Sequence, residues 1–399
     1  MDWMAQLDDW FRAHEQEGIE LLAALVRQNT VNPPGDEHLA AVVVEQYLSR
    51  HAIACTRHEG APGRTNVLAR VGHGAPVVFV PAHTDVVPVG AGWHTDPFEP
   101  VVHNGWMSGR GTTDDKGPLA SLLLLAAFLQ QHHTAFHGTL LVGAVADEER
   151  GSHLGLKYLL QENLVHANYA IVPDTGAPIT HVSCGEKGLL HVVLTLHGQQ
   201  AHASTPEQGV NAIYAAQAFI QRVHTLYGER VGYSHKTAPA PFSPTTVNIT
   251  KISGGSAFNI VPGQCTVGID IRFVPGQSAE EWVAHLRGIA TELQAQGLCT
   301  AFDLATDDAM HSFVLDADNP VVQAIDASVQ ALTGAPVTRI AMSGTTVCKQ
   351  LVAHGIPAVG WSQDGGHQAH MSNERIALSE IGLYGRALGL AFLRLCKAW

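Results

Sequence analysis

No apolar run in this chain of 399 residues is long enough to cross a bilayer. The longest, Leu122–Leu129, falls far short of the roughly 20 residues a spanning helix needs. Charge is scarce: 15% of residues are charged, and 23 basic against 36 acidic residues leave a formal charge of −13. That balance argues against nucleic acid or an anionic membrane as the main partner. The six cysteines, at 55, 184, 265, 299, 348 and 396, form no C-x-x-C. Such spacing implies neither a disulfide framework nor a structural zinc knuckle, and a reducing cytoplasm is expected. The opening MDWMAQLDDWF lacks a basic stretch ahead of an apolar core, so it does not read as a secretion signal. Neither G-x-S-x-G nor a glycine-rich nucleotide fingerprint occurs, which disfavours serine hydrolases, P-loop enzymes and dinucleotide-binding enzymes.

Histidine is abundant, with 24 copies, and 46% of the chain is apolar. Most of these histidines cannot be ligands; His132-His133 and those near 51 and 58 read as surface. Helical apolar spacing covers 3–28 and 37–50, separated by the loop NTVNPPGD. Strand-like runs at 65–71, 76–81, 138–145 and 169–172 alternate with helices. One of these helices, in GPLASLLLLAAFLQQH, is apolar almost all round and should lie between layers. This is the rhythm of an α/β fold with a mostly parallel sheet sandwiched by helices.

The rhythm changes near 182. Strand 188–197, helix 210–227, strands 245–252 and 264–273, helix 278–296 and strand 298–304 make a ferredoxin-like β-α-β-β-α-β unit. The expected division is therefore 1–181, an inserted domain at 182–311, and a return to the first domain at 312–399.

The stretch VVFVPAHTDVVP ends an apolar strand in His83 and Asp85, whose side chains share one side of extended backbone. Alone, that pair reads as a hydrogen-bonded loop histidine. Further polar residues follow other apolar elements: Asp114-Asp115, Asp147-Glu148-Glu149, Asp174 and His370. Strand ends are where open α/β sheets carry their sites. Two histidines among several carboxylates suit divalent zinc, cobalt or manganese. Two four-coordinate ions sharing a bridging Asp and a bridging water leave four terminal positions. His83, Asp174, Glu149 and His370 fill these. Asp85 is then free to hold the far nitrogen of His83, and Glu148 to take the proton of the bridging water.

The motifs H-T-D, G-R-G-x-x-D-x-K-G, D-E-E-x-G-S and A-H-x-x-N-E-x-I, in this order, resemble the dinuclear-zinc aminoacylase/peptidase family. That family includes acetylornithine deacetylase, succinyl-diaminopimelate desuccinylase, carboxypeptidase G-type enzymes and carnosinase-like dipeptidases. The resemblance covers roughly 65–399. It implies His83 and Asp174 on one metal, Glu149 and His370 on the other, Asp114 bridging, and Glu148 as general base. A cis peptide at Asp114–Asp115 is implied as well. KGLLHVVLTLHGQQAHASTPEQGVNAI resembles the family's lid or dimerisation domain, which implies a homodimer and an oxyanion-stabilising role for His202. Asn259 and Arg272, from GGSAFNIVPG and VGIDIRF, would contact the substrate carboxylate; otherwise Asn259 holds a turn and Arg272 forms a strand salt bridge.

Three departures bear on the substrate. Glu186-Lys187 stands where desuccinylases carry a basic pair, and its carboxylate argues against a succinyl group. Val347 occupies an acid's position, and Asp174 stands where deacylases tend to have Glu. The expected activity is hydrolysis of an amide bond in a small dipeptide or N-acyl amino acid. The alternatives are a non-peptide C–N bond, such as carbamoyl or ureido, or a silent metal- or amino-acid-binding homologue.

Overall fold

The computed structural model describes residues 2–228, 230–231, 242–366 and 368–398. The chain forms two compact units. One comprises Met1–Cys184, Leu315–Ile340 and Thr346–Trp399; the other comprises Gly185–Val314 and Ala341–Thr345. That Ala341–Thr345 groups with the second unit is not foreseen from sequence.

In the first unit, strand Val77–His83 lies between Gly138–Val145 and Tyr169–Val172 and runs parallel to both. Ala358–Gly360 extends the parallel set beyond Tyr169–Val172. Arg64–His73 and Cys55–Ala61 add antiparallel strands on the other side. All of Gly138–Val145 is buried, and so is Val78–His83, because both faces of the sheet are covered. His83 pairs with Val145, and Gly360 with Val172, so these strands end at a common level. The polar residues that follow therefore emerge at one edge of the sheet.

Helix Lys116–Gln131 is buried from Lys116 to Leu129. It packs between the sheet and helices Glu15–Val26, His38–Arg50 and Leu378–Leu395. Each fully buried leucine in it contributes about 1.5–3 kcal/mol. Helix Glu15–Val26 approaches closely at Gly18, where a Cβ would lie 2.7 Å from Leu124 Cδ1.

The apolar spacing over 3–28 resolves into two helices, Trp3–Ala13 and Glu15–Val26, interrupted at His14. His14 Nδ1 donates to the Trp10 carbonyl at 2.8 Å. His132 and His354 close their helices in the same way, on the Phe128 and Gln350 carbonyls, each at 2.8 Å. A carbonyl only accepts, so each of these nitrogens carries a proton. Helix capping thus employs part of the large histidine complement.

In the second unit, the five-stranded sheet has the order Arg230–Val231, Thr245–Gly254, Gln264–Phe273, Gly188–His197, Ala301–Met310, antiparallel throughout. With helices Ala212–Tyr227 and Ala279–Ala295 this is the ferredoxin-like arrangement. Burial alternates along most of Gly188–His197, as expected of a sheet covered on one face. Leu190, Val192, Leu194 and Leu196 share a core with Phe219, Trp282 and Leu286 from the helices. Ser278 and Glu281 form a reciprocal capping box at the start of Ala279–Ala295, contributing about 1 kcal/mol. Among the described residues, no helix is long and apolar enough to cross a membrane.

Candidate metal centre

The aligned strand ends and two neighbouring loops gather six side chains. His83 closes its strand, and Glu148 and Glu149 open the short 3₁₀ turn Glu148–Arg150 that follows Gly138–Val145. Asp174 lies two residues past Tyr169–Val172, and Asp114 two residues ahead of helix Lys116–Gln131. His370 precedes strand Arg375–Ala377. Asp114 directs one oxygen to each imidazole: Oδ1 lies 2.8 Å from His83 Nε2, and Oδ2 lies 3.2 Å from His370 Nε2. His370 Nε2 is also 3.1 Å from Glu149 Oε2. Ligand atoms of His83, Glu148 and Asp174 lie within 4.8 Å of one another, as do those of His83, Asp114 and Glu149. The His370 side chain is 56% exposed, so the cluster opens to solvent there. The peptide bond Asp114–Asp115 is cis.

Four carboxylates thus face two imidazoles. Burial first, then the carboxylates of Asp174 and Glu149, push the Glu148 carboxyl well above its ordinary range. Burial would also raise Asp114, but hydrogen bonds to His370 and His83 outweigh it and hold that carboxyl far below the usual range. Hydrogen bonds to Asp114 and then Glu149 raise His370 to about 10. The cluster attracts protons where divalent cations would balance the same charge. Its mixed nitrogen and oxygen donors fit zinc, cobalt or manganese.

Sequence reading assigns the Asp85 carboxylate to the far nitrogen of His83, and here the structure differs. His83 Nδ1 donates to the main-chain oxygen of Asp85 at 3.0 Å, while the carboxylate is 3.6 Å away. The carboxylate instead accepts the main-chain N–H groups of Glu148, at 3.0 Å, and Glu149, at 3.2 Å. Asp85 therefore orients the turn that carries both glutamates.

Sequence reading also gave no role to Glu374, although it belongs to the quoted A-H-x-x-N-E motif. This buried carboxylate accepts Thr113 N–H (2.8 Å), Thr113 Oγ1–H (2.9 Å), Gly111 N–H (3.0 Å) and Arg110 Nη1–H (2.8 Å). It ties the turn before Asp114 to the loop of His370. His370 itself has a φ of 65°, in the left-handed region that non-glycine residues seldom occupy. The only signal of Glu374 in sequence is its spacing of four from His370.

The second unit carries the other three expected residues. His202 is exposed, and its Nδ1 accepts the Ser204 N–H at 3.1 Å, with Ser204 Oγ 2.6 Å away. An accepting Nδ1 leaves the proton of a neutral ring on Nε2, which is then a donor. The loops of His202 and Asn259 are joined: Ala203 N–H donates to the Asn259 carbonyl at 3.0 Å, and His202 bridges Ile260. Arg272 is held in a strand salt bridge, Nε and Nη2 each 3.1 Å from an Asp270 oxygen. Asp270 also meets His191 Nε2 at 2.9 Å. Glu186 is fully buried. Its position in sequence therefore gives no ground for an exposed charge repelling an acidic acyl group.

Carboxylates and imidazoles at parallel strand ends, in a chain with an inserted antiparallel α/β unit, define a metallohydrolase. A profile of the peptidase dimerisation domain matches residues 184–297. A succinyl-diaminopimelate desuccinylase of Dinoroseobacter shibae is 30% identical over 375 residues, covering 91% of this chain and 95% of that protein. The fold is similar to a tripeptidase of Staphylococcus aureus, with TM-score 0.81, 21% identity, and 96% and 99% of the two chains covered. It is also similar to a dinuclear metal-binding peptidase of Bacillus subtilis, with TM-score 0.76, 14% identity, and 97% and 100% covered. The chain belongs to the dinuclear-zinc aminoacylase/peptidase family. It is a metal-dependent amide hydrolase.

Proposed function

We infer that the chain hydrolyses the amide bond of an N-acyl amino acid or small dipeptide, using two divalent ions, with zinc the first assigned. The observation carrying this reading is the convergence of His83, Asp114, Glu148, Glu149, Asp174 and His370. In this assignment His83 and Asp174 would hold one ion, Glu149 and His370 the other, and Asp114 would contribute to both. A bound ion pair would polarise the scissile carbonyl and make water acidic enough to lose a proton near neutral pH.

The remaining steps belong to side chains. Glu148 takes a proton from the attacking water and holds it for the departing nitrogen. The water oxygen bonds to the acyl carbon, the C–N bond breaks, and Glu148 returns the proton to the departing nitrogen. His202 donates its Nε2–H to the carbonyl oxygen as negative charge develops there. Asn259 and Arg272 orient the substrate carboxylate; the contact with Asp270 fixes the guanidinium plane rather than excluding this role.

The match of residues 184–297 to a dimerisation domain supports a homodimer formed through the inserted unit. Scattered free cysteines, five of them buried, support a cytoplasmic location. The Dinoroseobacter relative makes N-succinyl substrates the first to test. The experiment is a panel of N-succinyl, N-acetyl and N-carbamoyl amino acids and dipeptides, assayed with zinc, cobalt and manganese. Cleavage of an N-acyl amino acid or dipeptide is expected. Turnover of N-carbamoyl substrates alone would move the chain to non-peptide C–N chemistry, and no turnover with both ions bound would contradict the reading.

A further inference from the structure

The loop between helices Glu15–Val26 and His38–Arg50 contains none of the site residues expected from sequence. It is nevertheless fastened to the loop that follows His83. Asn32 N–H donates to the Val86 carbonyl at 2.9 Å, and Val86 N–H to the Thr30 carbonyl at 3.1 Å. Thr30 Oγ1 donates to the Thr84 carbonyl at 2.6 Å. These bonds set the Asn32 side chain between two buried carboxylates. Its Nδ2 donates to Asp85 Oδ2 at 2.9 Å and to Asp147 Oδ1 at 3.0 Å. Both partners only accept, which fixes the amide with nitrogen toward them. Asn32 is 3% exposed, Asp85 0% and Asp147 5%.

The two carboxylates flank the turn that carries the glutamates. Asp85 accepts the N–H groups of Glu148 and Glu149. Asp147, immediately before them, has a φ of 62°, in the left-handed region. Its carboxylate also accepts Arg64 Nη2–H at 2.9 Å and Leu154 N–H at 3.0 Å. A left-handed non-glycine residue persists when its surroundings over-determine it. Asn32 is part of that determination. An amide nitrogen offers two donors without charge, so it joins two carboxylates without replacing an N–H of the turn. An Asp there would add a further carboxylate beside them, and a Leu would remove one donor from each.

We propose that Asn32 is a positioning residue, bridging Asp85 to Asp147 and thereby fixing the direction of Glu148 and Glu149. The proposal rests on the hydrolase reading given above. Its test compares full-length Asn32→Asp, Asn32→Leu and the milder Asn32→Ser with the wild type. Circular dichroism and melting report the fold, chelator competition gives the two zinc affinities, and steady-state kinetics give kcat and KM. In the folded Asp and Leu variants, kcat should fall about 10–100-fold, with KM within about three-fold. The weaker zinc site should lose about ten-fold or more in affinity. Wild-type kcat and zinc affinities in folded variants, or a lowered melting temperature alone, would overturn the proposal. If Asp and Leu do not fold, Asn32→Ser decides by the same criteria with smaller changes. A wild type that binds zinc but cleaves no amide would contradict only the hydrolase reading. The zinc affinities of the variants would still decide the role of Asn32.

Discussion

The two units hold their polar residues in opposite ways. Behind the cluster of the first unit, Asp85, Asn32, Asp147 and Glu374 are buried, and each makes at least two hydrogen bonds to main chain or side chain. In the second unit His202 and Asn259 are exposed, and among the described residues the His202 ring is hydrogen-bonded to Ser204 alone, two residues away. Ion ligands must keep their geometry against mutual repulsion, which requires a supporting shell. A donor to a transient oxyanion needs the right tautomer and access, and a short loop supplies both. The difference teaches that rigidity is concentrated where like charges converge.

Removing the ions should produce the largest effect and the sharpest contrast. Full chelation should abolish turnover and lower the melting temperature, since ions that bind only the folded state stabilise it. Hydrogen exchange should show weaker protection around 83–86, 109–115 and 147–152, with strands 188–197 and 264–273 unchanged. Equal loss of protection in both units would break the comparison.

His202→Ala should cost about 10²–10³ in kcat, the worth of one oxyanion donor. Melting temperature and zinc content should stay at wild-type values. A loss of zinc would mean that the exposed loop shares the role of the buried shell. Glu374→Ala should do the reverse. Removing one partner of the buried Arg110–Glu374 pair should destabilise the first unit by about 3–5 kcal/mol and weaken zinc binding. Wild-type stability measured by urea unfolding would contradict the anchoring of the 109–113 turn.

The smallest effect concerns pH. In the metal-free protein His370 is raised to about 10, above an unfolded value of about 6.5. A raised imidazole contributes stability that is complete below its unfolded pKa and is lost as pH rises through its folded pKa. Metal-free protein should therefore lose stability from about pH 6.5 toward 10, and zinc-loaded protein should change less over that interval. Melting temperatures in both states across this range check it; rising stability of the metal-free form would contradict it.

Much of this architecture is written in local patterns. Continuous apolar strands such as 138–145 announce a sheet covered on both faces, and the alternation in 188–197 announces one covered on a single face. His83, Glu148, Glu149 and Asp174 follow such strands directly, so their position at one edge follows from the parallel order. The edge strand Cys55–Ala61 is missed because its mostly polar residues lack an apolar signal, and the hairpin 101–108 because its strands are only three residues each. Asn32 and Glu374 escape for a different reason. Their partners lie 53, 115 and 261–264 residues away, and sequence spacing carries no trace of such bonds. Asp85 shows the same limit: its proximity to His83 is local and legible, whereas its bonds to the Glu148–Glu149 turn depend on strand register. Arg272 follows its local pattern, since Asp270 shares its face of the strand at i−2.

The proposed division of roles, Glu148 as base and Glu149 as metal ligand, is tested most directly by zinc content measured together with turnover. Glu148→Gln keeps the shape and hydrogen bonding of the side chain but cannot accept the proton. It should retain two zinc ions per chain while kcat falls by about 10²–10⁴. Glu149→Gln should instead lose one ion and recover part of its activity at high zinc. Near-normal turnover by Glu148→Gln with both ions bound would contradict the account, as would rescue of Glu148→Gln rather than Glu149→Gln by added zinc.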